Sequence, residues 1–241
     1  MTLTFSHPNF EHTDEVRRRE CDSSSIQRNP HDLPTFDSDS LTHPQVFVLY
    51  LPPLLSSLPE HHPSVSVPTE HPPVVTATRL PDIDPVSLSL HKALHHFKPV
   101  DAYYASRNYS EAFNWSQLFL PEDEEREWYC VVFRSKRKAG SDGGALYDAD
   151  KIAHEEAIRN GGLILYWYGI PDPISGMNLA TCIWQSRKHA VAATSHPHHT
   201  KAMKLAAQSY EVYSLERYIL RKIKGSAGLT MEPFVSGDVG W

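Results

Sequence analysis

The apolar residues between positions 127 and 224 change period in an order that few folds can accommodate. Residues 127–135 read Glu-Trp-Tyr-Cys-Val-Val-Phe-Arg-Ser, aromatic and β-branched, which predicts a strand with both faces at least partly covered. A Gly-rich loop at 140–144 follows. Residues 146–158 then bring Leu146, Ala149, Ala153 and Ala157 to one helical face, and Asn160-Gly161-Gly162 supplies a left-handed stop. Residues 163–169 and 179–185 read as two strands joined through a turn with Pro171-Asp172-Pro173 and Ser175-Gly176. Ser186 caps a helix running to about Ala193, and Ser195 or His196 with Pro197 opens a second stretch carrying Ala202, Met203, Ala206 and Tyr210 on one side. Residues 213–224 alternate as a long strand and stop at Gly225. Strand, helix, strand, strand, broken helix, strand is the split βαβ order. It predicts an α+β class, a ferredoxin-like βαββαβ antiparallel sheet with helices on one face.

Two helices leave the other face of that sheet uncovered. Trp128, Trp167, Tyr168, Trp184 and Tyr218 are spread over the strands, so a bare face would be a large apolar patch. A partner subunit, the aromatic residues 100–120 or the N-terminal arm can cover it. The first of these makes the chain a homodimer.

Residues 84–126 form a lead-in expected to pack on this core. Asp84 is placed as an N-cap, Pro85 at the first helical position, and Val86, Leu88, Leu90, Ala93, Leu94 and Phe97 follow before Pro99 ends the helix. Thirteen of the 19 prolines lie between Pro8 and Pro85, with Ser, Thr and His crowded around them. Residues 1–83 therefore read as an extended or disordered arm, in which residues 46–51 form a short strand or a sticky segment halted by Pro52-Pro53. Residues 225–241 read as a C-terminal tail.

A formal net charge of −6 and a pI near 6.2 argue against nucleic acid as a partner, since binding polyphosphate needs a concentrated cationic surface. The one basic run, Arg134-Ser135-Lys136-Arg137-Lys138, reads either as a solvated loop at a strand end or as a phosphate contact or localisation signal. Cys21, Cys130 and Cys182 lack CxxC spacing and suit a reducing compartment, so a cytoplasmic location is expected. No apolar run approaches the roughly 20 residues of a membrane-spanning helix, so no membrane partner is expected.

Four residues are candidates for chemistry. His154 sits at the edge of the first helix's apolar stripe, either as a general acid or base or as a surface histidine. His199 shares a face with Ala202, Met203 and Ala206 at a helix start, where the dipole favours neutral imidazole; the alternative is a solvent-facing cluster with His196 and His198. Arg187 follows the third strand, and Arg217 sits inside an alternating strand, where it pairs with Glu156 or Glu211 or clamps a ligand anion. For substrate binding, alternation sends Tyr166 and Tyr168 to one face and Trp167 to the other; with Trp184 they pack a core or wall a pocket for a planar ligand. Cys182 reads as an inert buried hydrophobe.

The stretch from Trp184-Gln185-Ser186 through Pro197-His198-His199 to Met203 resembles antibiotic-biosynthesis-monooxygenase-like domains of the dimeric α/β-barrel superfamily, over about residues 127–224. Residues 84–115, 165–173 and 178–187 are similar to an uncharacterised fungal protein family. The superfamily resemblance implies dimers with a pocket between sheet and helices, and it hosts cofactor-independent oxygenases, cyclases and lyases as well as haem enzymes. It suggests a small-molecule enzyme acting on an aromatic or polyketide-like substrate with no cofactor. In that reading His154 or His199 takes a proton while Arg187, Arg217 or Tyr168 steadies the anion. A haem-binding protein with His199 as ligand is the second expectation, and a non-catalytic binding or scaffold protein the third.

Overall fold

The computed structural model describes residues 48–51, 83–141 and 143–240. In chain order these give β1 (Val48–Tyr50), α1 (Pro85–Ala93), α2 (Tyr109–Ala112), β2 (Arg126–Arg137), α3 (Gly143–Asn160), β3 (Leu163–Tyr168), β4 (Met177–Trp184), α4 (Arg187–Thr194), α5 (Pro197–Ser209), β5 (Tyr210–Lys222) and β6 (Leu229–Pro233), with 3-10 turns at Leu94–His96 and Trp115–Gln117. Residues 1–47, in which most of the expected arm falls, lie outside the described residues, as do residues 52–82.

The strands form one sheet in the order β1-β3-β4-β2-β5-β6, every neighbouring pair antiparallel. Its inner four, β3-β4-β2-β5, carry the ferredoxin-like connection: the second and third strands of the unit lie on one side of the first, and the fourth on the other. The two outer strands come from the additions. Val48–Tyr50 supply β1, and the expected tail supplies β6, whose Leu229 to Pro233 pair with Lys222 to Tyr218. A five-residue strand was hard to see there because Leu229-Thr-Met-Glu-Pro is short and ends in proline.

Local signals explain the helix ends. Asp84 Oδ1 accepts from the backbone N–H of Ser87 at 2.9 Å, the expected N-cap, worth about 1 kcal/mol. Ser186 caps α4 by accepting from His189 N, while His196 precedes Pro197 at the start of α5 without a side-chain cap. Gly161 and Gly162 take positive φ (83° and 79°) after α3, as a left-handed stop requires.

Residues 84–120 cover the sheet face opposite α3 and α5. Trp128, Cys130, Val132, Leu165, Trp167, Leu179, Ile183 and Leu220 from the strands pack there against Leu90, Leu94, Phe97, Tyr109, Phe113 and Trp115. Phe97 stacks on Phe113 (4.4 Å between ring centres), and Trp167 meets Phe113 and Tyr104 edge-on at 4.8 and 5.2 Å. Polar pins fix the cover: Tyr109 Oη and Thr181 Oγ1 lie 2.7 Å apart, Arg126 pairs with Asp84 at 2.9 Å, and Trp128 Nε1 donates to Ser87 Oγ. The homodimer expectation rested on this face needing a partner. The chain covers it itself, so the face supplies no argument for a second subunit.

Candidate functional site

Strand alternation builds the second chamber. Phe133 and Ser135 on β2, Tyr166 and Tyr168 on β3, and Ala180, Cys182 and Trp184 on β4 point to the face that carries α3 and α5. Opposite them stand Ala153 and Ala157 on α3 and Ala202 and Ala206 on α5. Small side chains on both layers cannot fill the gap left by the larger residues around them, and a cavity of about 330 Å³ remains between sheet and helices.

Helical spacing places Asp150 and His154 on the same side of α3, one turn apart, with Ala153 between them. Tyr166 Oη donates to Asp150 Oδ2 at 3.2 Å, and the Tyr166 ring lies 4.5 Å from that of His154. Burial raises the Asp150 carboxyl from 3.8 to about 6, more than the Tyr166 hydrogen bond lowers it. The same burial drives His154, only 5% exposed, down to about 3. At neutral pH the imidazole is thus neutral and a very weak base, whereas the carboxyl titrates near pH 6. The sequence offered His154 or His199 as the base, with a surface histidine as the alternative for His154. Asp150 also lines the cavity, a position that the sequence did not suggest because a lone aspartate in a helix normally faces water, although Asp150 lies one turn from both Leu146 and His154 in the apolar stripe.

Tyr168 and Tyr210 also line the cavity, and burial raises both phenols above their ordinary range, so they remain O–H donors throughout the physiological range. Burial likewise raises the Cys182 thiol and keeps it protonated, in keeping with an inert wall residue. His199 lines the cavity as well. Burial lowers its imidazole more than nearby Glu156 raises it, and Glu156 Oε2 accepts from the backbone N–H groups of His198 and His199 at 3.1 and 3.2 Å.

The structure brings together His154, His199, Tyr166, Tyr168 and Trp184. Three other expected site residues lie elsewhere. Trp167 is buried in the core on the opposite face, as its alternation requires. Arg187 leaves the β4 end outward, with Nη1 3.8 Å from Asp238 and its guanidinium 5.7 Å from the Phe234 ring centre. Arg217 is exposed, on the part of the helix-bearing face next to similarly exposed Tyr213 and Leu215, where the helices no longer cover β5. Water solvates its charge there, and its expected partners are engaged otherwise, Glu211 by Lys136 and Glu156 by the start of α5.

No group of three or more His, Cys, Asp or Glu among the described residues could hold a metal ion, and no described helix is long and apolar enough to cross a membrane. A haem would need one neutral imidazole at the cavity wall, and His199 meets that requirement.

Fold and site together define a ferredoxin-like α+β protein with a cavity between sheet and helices. The chain belongs to the PB2B2.08-like family, whose model matches residues 70–233. It is 32% identical over 151 residues to the UPF0643 protein PB2B2.08 of Schizosaccharomyces pombe, covering 56% of this chain and 69% of the relative. Among solved structures it is similar to a conserved protein from Methanosarcina mazei (14% identity, 38% of this chain and 90% of that one, TM-score 0.34). It also resembles Rv0793 from Mycobacterium tuberculosis (12%, 42% and 99%, 0.34) and an antibiotic biosynthesis monooxygenase (11%, 39% and 96%, 0.31).

Proposed function

We propose that this protein is an enzyme that moves protons on a small aromatic or polyketide-like molecule held between the sheet and helices α3 and α5, with Asp150 as the general base. The observation that supports this reading most is a carboxyl that titrates near 6 on the wall of a mainly apolar cavity. In the ionised form, Asp150 takes a proton from a carbon beside a carbonyl. The C–H bond breaks, its electron pair passes into an enolate, and the proton becomes the O–H of the Asp150 acid. Tyr168 donates to the enolate oxygen, the steadying role that neither Arg187 nor Arg217 can fill. Return of the proton to another position gives an isomer; if Asp150 gives it instead to a departing β-hydroxyl, which leaves as water, the result is dehydration, and if the enolate carbon attacks a second carbonyl whose oxygen takes the proton, the result is cyclisation. Oxygenation would additionally require dioxygen.

Hydrogen–deuterium exchange at the α-carbon of aromatic ketones such as 2-tetralone, followed by proton NMR, tests this reading. Wild-type protein should accelerate exchange, with a rate that rises with pH through about 6 as Asp150 ionises. Asp150→Asn should lower the enzymatic rate by about 10²–10⁴-fold. Equal rates for the two proteins would refute the assignment.

The neutral imidazole of His199 favours a second reading, haem held in the same cavity. A Soret shift on haem addition that His199→Ala abolishes would support it, and no shift would remove it.

A further inference from the structure

The basic run at the end of β2 does not behave as one unit. Arg134 turns to the covered face, where it pairs with Glu216 and donates to the carbonyls of Ala105 and Arg107. Lys136 pairs with Glu211 at 3.3 Å. Arg137 lines the cavity as Lys136 also does, because the pairing of β2 with β5 shifts register between these two residues. Its guanidinium is not splayed into water: Nη2 donates to the Ser141 carbonyl at 2.7 Å and to Ser141 Oγ at 3.0 Å, Nη1 donates to Tyr147 Oη at 3.4 Å, and the charge sits 5.5 Å from the centre of the Tyr147 ring. Among the described residues no carboxylate forms an ion pair with it. A cation held in one orientation on a cavity wall, with no carboxylate of its own there, has the charge and shape to receive one from a ligand.

Strand register gives the cavity a direction. Lys136 lies opposite Met177, whereas Trp184 lies opposite Tyr129 and Leu163, so Arg137, Gly176 and Asn178 mark one end of the chamber and Trp184 and Leu163 the other. Asp150 meets the sheet at Tyr166, in the row of Cys182, towards the second end. Tyr168, opposite Ala180, stands between them, about two strand residues or ~7 Å from the Tyr166 row. Both Arg137 and Asp150 act electrostatically on Tyr168 and on Tyr210.

We propose that the cavity takes an aromatic carboxylic acid, with its carboxylate held by Arg137 and its ring body running past Tyr168 towards Cys182 and Trp184. This rests on the cavity being a ligand site, and it deepens the proton-transfer reading by naming the class of molecule: an acid whose anionic head is clamped at one end while its reactive carbon lies near Asp150. Arg137 is then a specificity residue. A neutral molecule of the same shape leaves its cation without an anionic partner.

Calorimetric titration of the full chain at pH 7 with 2-naphthoate and with 2-naphthamide, its neutral isostere, tests the assignment. The acid should bind about tenfold or more tightly than the amide, the scale of one charge-assisted hydrogen bond. Arg137→Gln should abolish that preference while changing the affinity for the amide less than twofold, and Arg137→Lys should keep part of it. Ala206→Trp, which fills the cavity, should remove binding of both. The proposal is overturned by equal affinities in the wild type, by no binding of naphthoate, by equal weakening of both probes in Arg137→Gln, or by naphthoate binding that survives Ala206→Trp. Asp150→Asn separates the two readings: a charge preference that persists while α-carbon exchange proves independent of Asp150 sinks the proton-transfer role and leaves the anion subsite standing.

Discussion

Tyr166 on β3 donates its phenolic proton to Asp150 on α3 at 3.2 Å, so the sheet and the helix layer meet through a hydrogen bond to an acid inside the cavity. Without that bond, burial alone would push the carboxyl higher still. Each half of the pair is thus tuned by its place in the fold, which makes the pair accessible to stability measurements as well as to kinetics.

Asp150 should cost stability as pH rises. Its folded-state value, about 6, lies above the ordinary 3.8, so the protonated acid favours the fold; that contribution is complete below pH 4 and is lost as pH climbs through 6. Asp150→Asn removes the dependence. Relative to wild type the variant should gain up to about 3 kcal/mol between pH 4 and pH 7, read from urea midpoints at each pH.

His154 should produce the opposite slope. A folded value of about 3 against an ordinary 6.5 means that the unfolded chain binds the proton more readily, so stability is complete above pH 6.5 and falls as pH drops towards 3. Between pH 4 and 6 the two residues therefore offset one another. His154→Gln should expose the Asp150 slope, giving a protein that loses stability relative to wild type as pH is raised through that window, and the same urea series checks it.

On the opposite face, Phe113 sits 3% exposed between Phe97, Trp115 and Trp167. Phe113→Ala should cost about 3–5 kcal/mol, a loss expected only where the cover is a packed part of the core. Chemical denaturation should show it as a lower midpoint with an unchanged slope. A change below 1 kcal/mol would mean that residues 84–120 do not hold this face.

Thr181→Val tests the pin beneath that cover. Valine keeps the shape but leaves the Tyr109 hydroxyl, 2.7 Å from Thr181 Oγ1 and fully buried, without this partner. The expected cost is about 1–3 kcal/mol, and Tyr109→Phe in the same background should recover part of it.

Much of this architecture was legible in the amino-acid order, because period-2 and period-3.6 patterns report directly which face a residue occupies. Asp84-Pro85 marked the start of α1, Ser186 the start of α4, and the alternation of Tyr166, Trp167 and Tyr168 sorted those three side chains to their correct faces. Arg217 shows the limit of such reasoning. Its position in an alternating strand fixed its face, but whether that face is covered at that point depends on where α3 and α5 end over β5, which is a tertiary property. Asp150 and Arg137 were hidden for a related reason: an acid in a helix and a cation at a strand end ordinarily face water, and only the opposing layer turns these two into cavity residues.

The most direct test of the proposed acid–base site is a carbon-13 NMR titration of the Asp150 carboxyl in the full-length protein, assigned by its absence in Asp150→Asn. The account expects an apparent pKa near 6 that moves upward when 2-naphthoate is bound, because a second anion in the cavity disfavours the ionised acid. A carboxyl titrating at or below the ordinary 3.8, and indifferent to that ligand, would contradict it.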